Sequence, residues 1–589
     1  MTYRAPTRDL AFALSEVAGL GQLRGLEPFS GFDLETLQAV LDGAGRFAEG
    51  VLAPLNRSGD VEGARFENGQ VFAPAGFSDA FRRYGQGGWN GLAADPEYGG
   101  QGLPRAAALA AFEFVHAANM SFGLCPTLSE AAMHCLAAHG SESQKAIYLP
   151  RLVSGEWTGT MNLTEAQSGS DLALVRSRAE PDRNGRYKLF GQKIFITWGD
   201  HDCADNIAHL VLARLPDAPE GVKGISLFLA PKFLVDENGK IGASNALRPL
   251  SIEHKLGIHA SPTCVMAFEG AQAELVGQPN QGLAQMFTMM NAARLNVGMQ
   301  GVGIAERAYQ QALAFSLERR QGRSPWAAEY PARIFDQPDV RRMLMLMKAK
   351  IEAARAICLS TALAADVAEH SSDAPTREAA QLREELFVPI AKAWSTDIGV
   401  EVASLGVQVH GGMGFIEETG AAQYYRDARI APIYEGTNGI QAMDLAGRKL
   451  ALANGAAVAQ LIADMRETSA QLRVAKLETM AAPLDAGIVA LERATRVMLD
   501  KKGTADALAA ATPFLKLAGD VAGGWMHAKA ALAASAKLAG SESDYMKTKI
   551  ALAQFYAAHV LAPAPGQLAA IESGAGAFAA VSSAALGAA

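Results

Sequence analysis

IAPIYEGTNGIQ, residues 430–441, sets one carboxylate, Glu435, in a run whose other residues are apolar, aromatic, small or uncharged. A glutamate in such surroundings is seldom buried without a partner. Desolvation would raise its pKa toward neutrality, the property a general base needs. The competing reading makes it a turn or helix-start carboxylate paired with Arg426 or Arg429, and the segment alone leaves the two open.

Outward from this segment the chain changes texture three times. From Phe32 to about Gly155 apolar residues recur every three or four positions, as at Leu34, Leu37, Val40 and Leu41, which predicts helices. From Trp157 to Val276 short runs such as HLVLARL and ISLFLAP alternate with turns such as PDRNGRY, which predicts antiparallel sheet. Beyond GQPNQG (277–282) a stripe through Met286, Met289, Met290, Ala293, Val297, Gly301, Ile304, Ala308, Ala312 and Phe315 predicts a long helix. A second helix is expected from Val340 to about Glu369, a polar loop over 370–379, and a third helix ending near HGGMGF (410–415). Residues 451–589 are Ala-rich and helical in period, with breaks expected near 483, 503 and 540. The expected domains are 1–156 (N-terminal helical), 157–276 (β), 277–450 (helical bundle with the Glu435 loop) and 451–589 (additional helical).

Composition narrows the function. A chain of 589 residues exceeds one ordinary core. Its charge of −8, from 53 basic against 61 acidic residues, gives no electrostatic reason to bind nucleic acid or anionic lipid. Five separated cysteines without a CxxC pair suggest neither a disulfide framework nor a zinc site, and a reducing cytoplasm fits them. The opening residues lack the pattern of a signal peptide, and no run is apolar and long enough to span a bilayer. GxGxxG, Walker-type, HExxH and GxSxG patterns are all absent.

Two further segments carry polar chemistry. LTEAQSGSDL (163–172) gathers hydroxyls and Gly169 after a predicted strand, a composition able to aim N–H groups at an anion or polar heterocycle. KIFITWGD (193–200) predicts a strand placing Phe195 and Thr197 on one side, where they could bracket a flat ring. Both also read as ordinary surface hairpins. The glycines of VQVHGGMGF (407–415) suit a helix C-cap or a close backbone approach by a ligand. Arg294 and Arg319, expected to bound the first long helix, are either solvated charges or phosphate forks. His410 lacks companions at metal spacing and reads as a structural imidazole.

Taken together, LTEAQSGSD, KIFITWG, HKLGIHASPTC (254–264), a helix opening at Arg294, QVHGGMGF and YYRDARIAPIYEGTNGIQ (424–441) resemble the acyl-CoA dehydrogenases over residues 30–450. The resemblance implies a mainly α fold with a central β domain. It implies FAD as cofactor, an acyl-CoA thioester as substrate, electron-transferring flavoprotein as acceptor and no metal. In that family the glutamate of this loop is the catalytic base, here Glu435. By the same resemblance Met161, Leu163, Thr164 and Ser170 lie along the flavin and its pyrophosphate, with Ser170 also near the CoA. Phe195 and Thr197 lie against the isoalloxazine. Arg319, Gln408, Gly411 and Gly412 hold the FAD of a neighbouring subunit, and Thr437 contacts the adenine-side phosphates. Arg294, Tyr434 and Gly436 line the acyl-CoA channel. Met161, Phe195 and Gly439 depart from the commoner family residues, as does the insertion RQGRSPWAAEYPARIF (320–335).

YRAPTRDLAFALSEV (3–17) and DYMKTKIALAQFYAAHVLA (544–562) resemble a bacterial branch of the family with an extra C-terminal helical domain. That resemblance implies a short acyl chain, a 3-methylmercaptopropionyl group ahead of ordinary short or medium chains, and hence dimethylsulfoniopropionate catabolism. Dimers or tetramers are implied by the family resemblance, and an added helical domain covering one face favours a homodimer. An acyl-CoA oxidase and a DNA-binding alkylation-response flavoprotein are the alternatives. The second needs a basic tail, whereas residues 451–589 hold 12 Lys plus Arg against 11 Asp plus Glu.

Overall fold

The computed structural model describes residues 3–576 and 578–588. The chain forms two compact units, one built from Ala39–Asn296 and the other from Pro6–Gln38 with the chain beyond Val297.

In the first unit, helices α1 (Arg105–Ala118) and α2 (Met120–His139) are apolar nearly all round and are buried accordingly. Asn119 caps α2 by accepting the Phe122 N–H at 3.1 Å. Helix α3 (Glu142–Ser154) opens on a capping box between Ser141 and Gln144 and closes on Gly155 at φ +78°.

Seven strands follow in one sheet: β1 (Trp157–Asn162), β2 (Arg178–Pro181), β3 (Tyr187–Thr197), β4 (Asn206–Arg214), β5 (Ile225–Pro231), β6 (Leu247–Ile252) and β7 (Thr263–Val276). Their order is β6-β7-β3-β2-β4-β1, with β5 pairing both β7 and β4. Pairing is antiparallel except that β4 runs parallel to β1 and, at one residue pair, to β2. Strands β4 and β5 are buried on both faces, which is why they read as unbroken apolar runs. Leu210 and Leu212 join one core cluster with Leu149, Leu152 and Trp157, while Val211 and Ala213 join another with Phe228, Met266 and Phe268. Strand β1 lies so close to α2 that a Cβ on Gly159 would stand 2.5 Å from Ala132. A small hairpin, Arg65–Glu67 with Gln70–Phe72, was not expected in the N-terminal helical region. Its turn is Asn68-Gly69, both at positive φ, as a two-residue hairpin demands.

Helix α4 (Gly282–Glu318), which belongs to the second unit from Val297 onward, forms the bundle with α5 (Pro338–His370) and α6 (Ala374–His410). Helix α4 starts at Gly282, so Arg294 lies inside it and does not open it. The loop expected over 370–379 shrinks to 371–373, because Asp373 caps α6 by accepting the Thr376 N–H. Helices α4 and α6 touch backbone to backbone: a Cβ on Gly301 would lie 2.4 Å from the Ser395 carbonyl oxygen.

Short helix α7 (Asn438–Gly447) then leads to α8 (Ala456–Val474), α9 (Glu478–Asp500), α10 (Ala505–Ala536) and α11 (Ser543–Tyr556). Pro483 lies within α9 and breaks nothing; the chain turns instead at 475–477. The added helices are joined to the bundle by Trp394 Nε1, which donates to Asp520 Oδ1 at 3.0 Å, and by a His527 contact to the Ala349 carbonyl at 2.8 Å. Asp9, near the start of the chain, accepts from Lys348 at 2.6 Å, Tyr545 at 2.7 Å and Lys549 at 2.8 Å. No helix among the described residues is long and apolar enough to cross a membrane.

Candidate active site

The loop before α7 carries strained backbone at a candidate residue. Glu435 is at φ +57° and Gly436 at +81°. The left-handed region is easy for glycine but costs a non-glycine residue about 1–3 kcal/mol, so the surroundings must enforce it. They do so from several sides. Asn438 N–H donates to the Pro432 carbonyl at 2.9 Å and closes the loop. Thr437 caps α7 by accepting the Ile440 N–H at 3.2 Å. Tyr434 donates a short hydrogen bond to Gln300. The buried Lys392 ammonium on α6 donates to the Gly436 carbonyl and to Asn438 Oδ1, each at 2.9 Å.

Glu435 itself is half-buried. Burial, and then the Glu435 charge, push the Tyr434 phenol well above its ordinary range, so it stays a neutral hydrogen-bond donor. Arg426, one partner offered by the competing reading, forks onto Glu417 at 3.0 and 3.1 Å.

The β unit holds a second cluster. Strand β3 bulges against β7 between Lys193 and Ile196, and the bulge leaves Phe195 at φ +60° and 59% exposed. The regular alternation expected for Phe195 and Thr197 is therefore interrupted. Three residues on, Trp198 is also left-handed, at +50°, but buried, with Nε1 donating to the Ser121 carbonyl.

Beside the bulge, the loop after β1 is pinned from beneath. Lys193 Nζ, fully buried, donates to the Leu163 carbonyl at 2.9 Å and to Glu165 Oε1 at 2.8 Å. Ile194 N–H donates to the Thr164 carbonyl at 2.9 Å, and Glu165 also accepts the N–H groups of Arg176 and Ser177. Met161 and Leu163 pack against the core, whereas Ser170 is exposed at the loop's rim.

Burial pushes the Glu165 carboxyl up, but the Lys193 ammonium and the N–H donors outweigh it and hold it at about 2. This depressed value means that the pair's stabilisation is fully present above the ordinary carboxyl value of 4.5 and is lost as pH falls toward 2. Lys193→Met strands the buried carboxylate and should cost about 3–5 kcal/mol, measured as a shift in the urea midpoint at pH 7.

The remaining candidates are placed as follows. Arg294 is buried within α4 and donates to Asn291 at 3.3 Å, so it is no solvated charge. Arg319 sits exposed just past α4, where its carbonyl accepts the Ile334 N–H and starts the 320–335 excursion. Gln408, Gly411 and Gly412 are exposed at the end of α6, and Cβ atoms on either glycine would meet nothing within 4 Å. His410 stacks on Phe315 with ring centroids 4.5 Å apart, and its Nδ1 lies 2.7 Å from the Gly406 carbonyl. A cavity of about 390 Å³ lined by Asp9, Tyr309, Lys348, Tyr545 and Lys549 shares no residue with these clusters.

Sequence reasoning missed Lys193, Glu165 and Lys392, which act on backbone and on one another through buried hydrogen bonds. Glu165 within LTEAQSGSDL and Lys193 at the head of KIFITWGD carry no spacing signal that pairs them, since only the fold brings the two segments together.

Three family descriptions match the chain: "Acyl-CoA dehydrogenase, N-terminal domain" over residues 35–156, "Acyl-CoA dehydrogenase, C-terminal domain" over 280–450, and "Acetyl-CoA dehydrogenase C-terminal like" over 459–582. The chain belongs to the acyl-CoA dehydrogenase family. This acyl-CoA dehydrogenase is 48% identical to the 3-methylmercaptopropionyl-CoA dehydrogenase of Ruegeria pomeroyi, over 95% of this chain and 96% of that one. Among solved structures, Caenorhabditis elegans ACDH-11 in complex with C11-CoA matches at TM-score 0.77 and 21% identity, over 95% of this chain and 92% of that one. An acyl-CoA dehydrogenase from Bacillus anthracis complexed with FAD matches at TM-score 0.70 and 20% identity, over 93% and 89%. At such identities the two structures speak for the fold of this acyl-CoA dehydrogenase, including its additional C-terminal helices.

Proposed function

We propose that this enzyme dehydrogenates a short-chain acyl-CoA thioester between Cα and Cβ with FAD, and that its substrate is 3-methylmercaptopropionyl-CoA, converted to methylthioacryloyl-CoA. The near-full-length identity of 48% to an enzyme named for that substrate supports the choice. The observation that carries the chemistry is Glu435, held left-handed between Tyr434 and Gly436 in a loop whose residues are apolar or neutral.

The residues fit a flat dinucleotide cofactor in two respects. Phe195 offers an exposed aromatic face on a strained bulge, beside a loop of hydroxyls and N–H groups fixed by Lys193 and Glu165. Gly411 and Gly412 offer bare backbone that a side chain would otherwise cover, next to exposed Gln408. FAD, when bound, supplies the acceptor for the hydride leaving Cβ.

The chain's own groups do the rest. Glu435 Oε takes the proton from Cα, and the apolar loop keeps water from competing for it. Met161, Leu163, Thr164 and Ser170 hold the flavin side, with Phe195 and Thr197 against its ring. Ser170, Arg294, Tyr434 and Gly436 line the acyl-CoA. Arg319, Gln408, Gly411, Gly412 and Thr437 hold the nucleotide end across a homodimer, and the expected acceptor is electron-transferring flavoprotein. This role in dimethylsulfoniopropionate catabolism is cytoplasmic.

A thioether chain suits soft, adaptable contacts, and each methylene forced past a closed pocket end costs about 1–3 kcal/mol. Anaerobic flavin bleaching should therefore be most efficient with 3-methylmercaptopropionyl-CoA, remain appreciable with butyryl-CoA and collapse by octanoyl-CoA. A preference for octanoyl-CoA would remove the substrate and leave the reaction standing.

A further inference from the structure

We infer that Lys392 is the positioning residue of the reaction: its buried ammonium holds the Gly436 carbonyl and Asn438, and through them keeps Glu435 in its left-handed conformation. The inference rests on the reading of Glu435 as the base.

Three observations converge on it. Lys392 is fully buried in α6, where an ammonium is tolerated only with good hydrogen-bond partners. Two of its partners belong to the Glu435 loop: the Gly436 carbonyl and Asn438 Oδ1, each at 2.9 Å. Asn438 is itself fixed in the orientation this requires. Its Nδ2, with two protons, has three acceptors within reach, the Ala393 carbonyl at 3.0 Å, Thr396 Oγ1 at 3.0 Å and Asp397 Oδ1 at 2.8 Å, so its Oδ1 must face Lys392. One stretch of α6 thus grips the Gly436 carbonyl and the Asn438 side chain, on either side of Thr437.

The grip bears on the chemistry through the backbone. Glu435 is at φ +57° and Gly436 at +81°. For the glutamate, the ordinary alternative is a negative φ, which swings the side chain to another direction. Fixing the Gly436 carbonyl fixes that residue's ψ, and the closure from Asn438 N–H to the Pro432 carbonyl at 2.9 Å leaves Glu435 no slack to relax. Loss of the grip would let the loop spend part of its time with the carboxylate misdirected, lowering the rate in proportion to the misdirected population while acyl-CoA still binds. Asp397 lies on the same helix as Lys392; burial raises its carboxyl, and the Asn438 hydrogen bond with the Lys392, Arg429 and Lys516 charges opposes the rise.

The test uses full-length holoenzyme with Lys392→Met, which keeps the chain's length and volume and removes every donor. The rate constant for anaerobic flavin bleaching at saturating 3-methylmercaptopropionyl-CoA is expected to fall at least about 30-fold, with the dissociation constants for FAD and for methylthioacryloyl-CoA changing less than about threefold. Lys392→Arg, which keeps donors, is expected to bleach faster than Lys392→Met. Bleaching within about threefold of the parent would overturn the inference, as would a fall in FAD affinity as large as the fall in rate. If Lys392→Met does not fold, Asn438→Ala, which removes the intermediary and leaves the lysine, is judged by the same limits on rate and affinity. The two readings fail separately: normal turnover by Glu435→Gln overturns the base, while an inactive Glu435→Gln beside a fully active Lys392→Met overturns only the grip.

Discussion

Glu435→Gln is expected to bind FAD and acyl-CoA as the parent does while its turnover falls at least about a hundredfold, the scale of a lost general base. The amide keeps the shape and the hydrogen-bonding capacity of the carboxylate but cannot take the Cα proton. It also leaves the backbone problem unchanged, because glutamine at φ +57° is as strained as glutamate. The fall therefore reports basicity and not a rearranged loop. Glu435→Gly gives the complementary result. Glycine adopts positive φ without steric cost, so that variant should be inactive yet at least as stable to urea as the parent. A less stable Glu435→Gly would mean that the carboxylate anchors the loop. Near-normal turnover by Glu435→Gln, read by anaerobic flavin bleaching, would sink the assignment.

The strain at Glu435 also marks how far a sequence can be read. The apolar stripes predicted the long helices because burial of one face follows directly from a 3.6-residue period, and α4, α5 and α6 run where the stripes run. Their ends were harder. Helix α4 reaches back to Gly282, since nothing in the stripe marks where its first turn begins, and Pro483 looked like a break although it is accommodated within α9. The Asn68-Gly69 turn was legible and was passed over because helical spacing dominated its surroundings. The bulge at Phe195 was not legible: strict alternation and a one-residue insertion differ only through pairing with β7, which lies some seventy residues onward. Residues that hold others in place leave the weakest trace. Lys193 and Lys392 each look like a surface charge until the fold buries them.

Acid should unfold the β-bearing unit well before its carboxylates titrate, because three of its histidines are buried as neutral imidazoles. Burial lowers His116, His201 and His209 each to about 3, and the Lys232 charge adds to the effect at the last two. The hydrogen bonds agree. His201 Nδ1 accepts the Cys203 N–H at 3.1 Å, which a doubly protonated ring could not do, and its Nε2 lies 2.9 Å from Thr158 Oγ1. His209 Nδ1 lies 2.7 Å from Thr160 Oγ1, inside the same sheet. His116 Nε2 lies 3.3 Å from a Thr127 hydroxyl that already donates to Gly123. With folded values below the ordinary 6.5, the unfolded chain takes up protons first as pH falls. The stabilisation is therefore fully present above about pH 6.5 and declines between there and about pH 3. Each histidine contributes up to about 1.4 kcal/mol per pH unit in that window, so the three together approach about 4 kcal/mol per unit. Two such units, about 8 kcal/mol together, remove most or all of the stability of a fold in the lower part of the usual range of about 5–15 kcal/mol. Urea midpoints should be level from pH 8 to about 6.5 and fall steeply from there to pH 5 with uptake of about three protons on unfolding, and His201→Gln, if it folds, should flatten the slope by about a third. A midpoint that stays level from pH 7 to 5 would mean that these imidazoles are already charged in the folded chain.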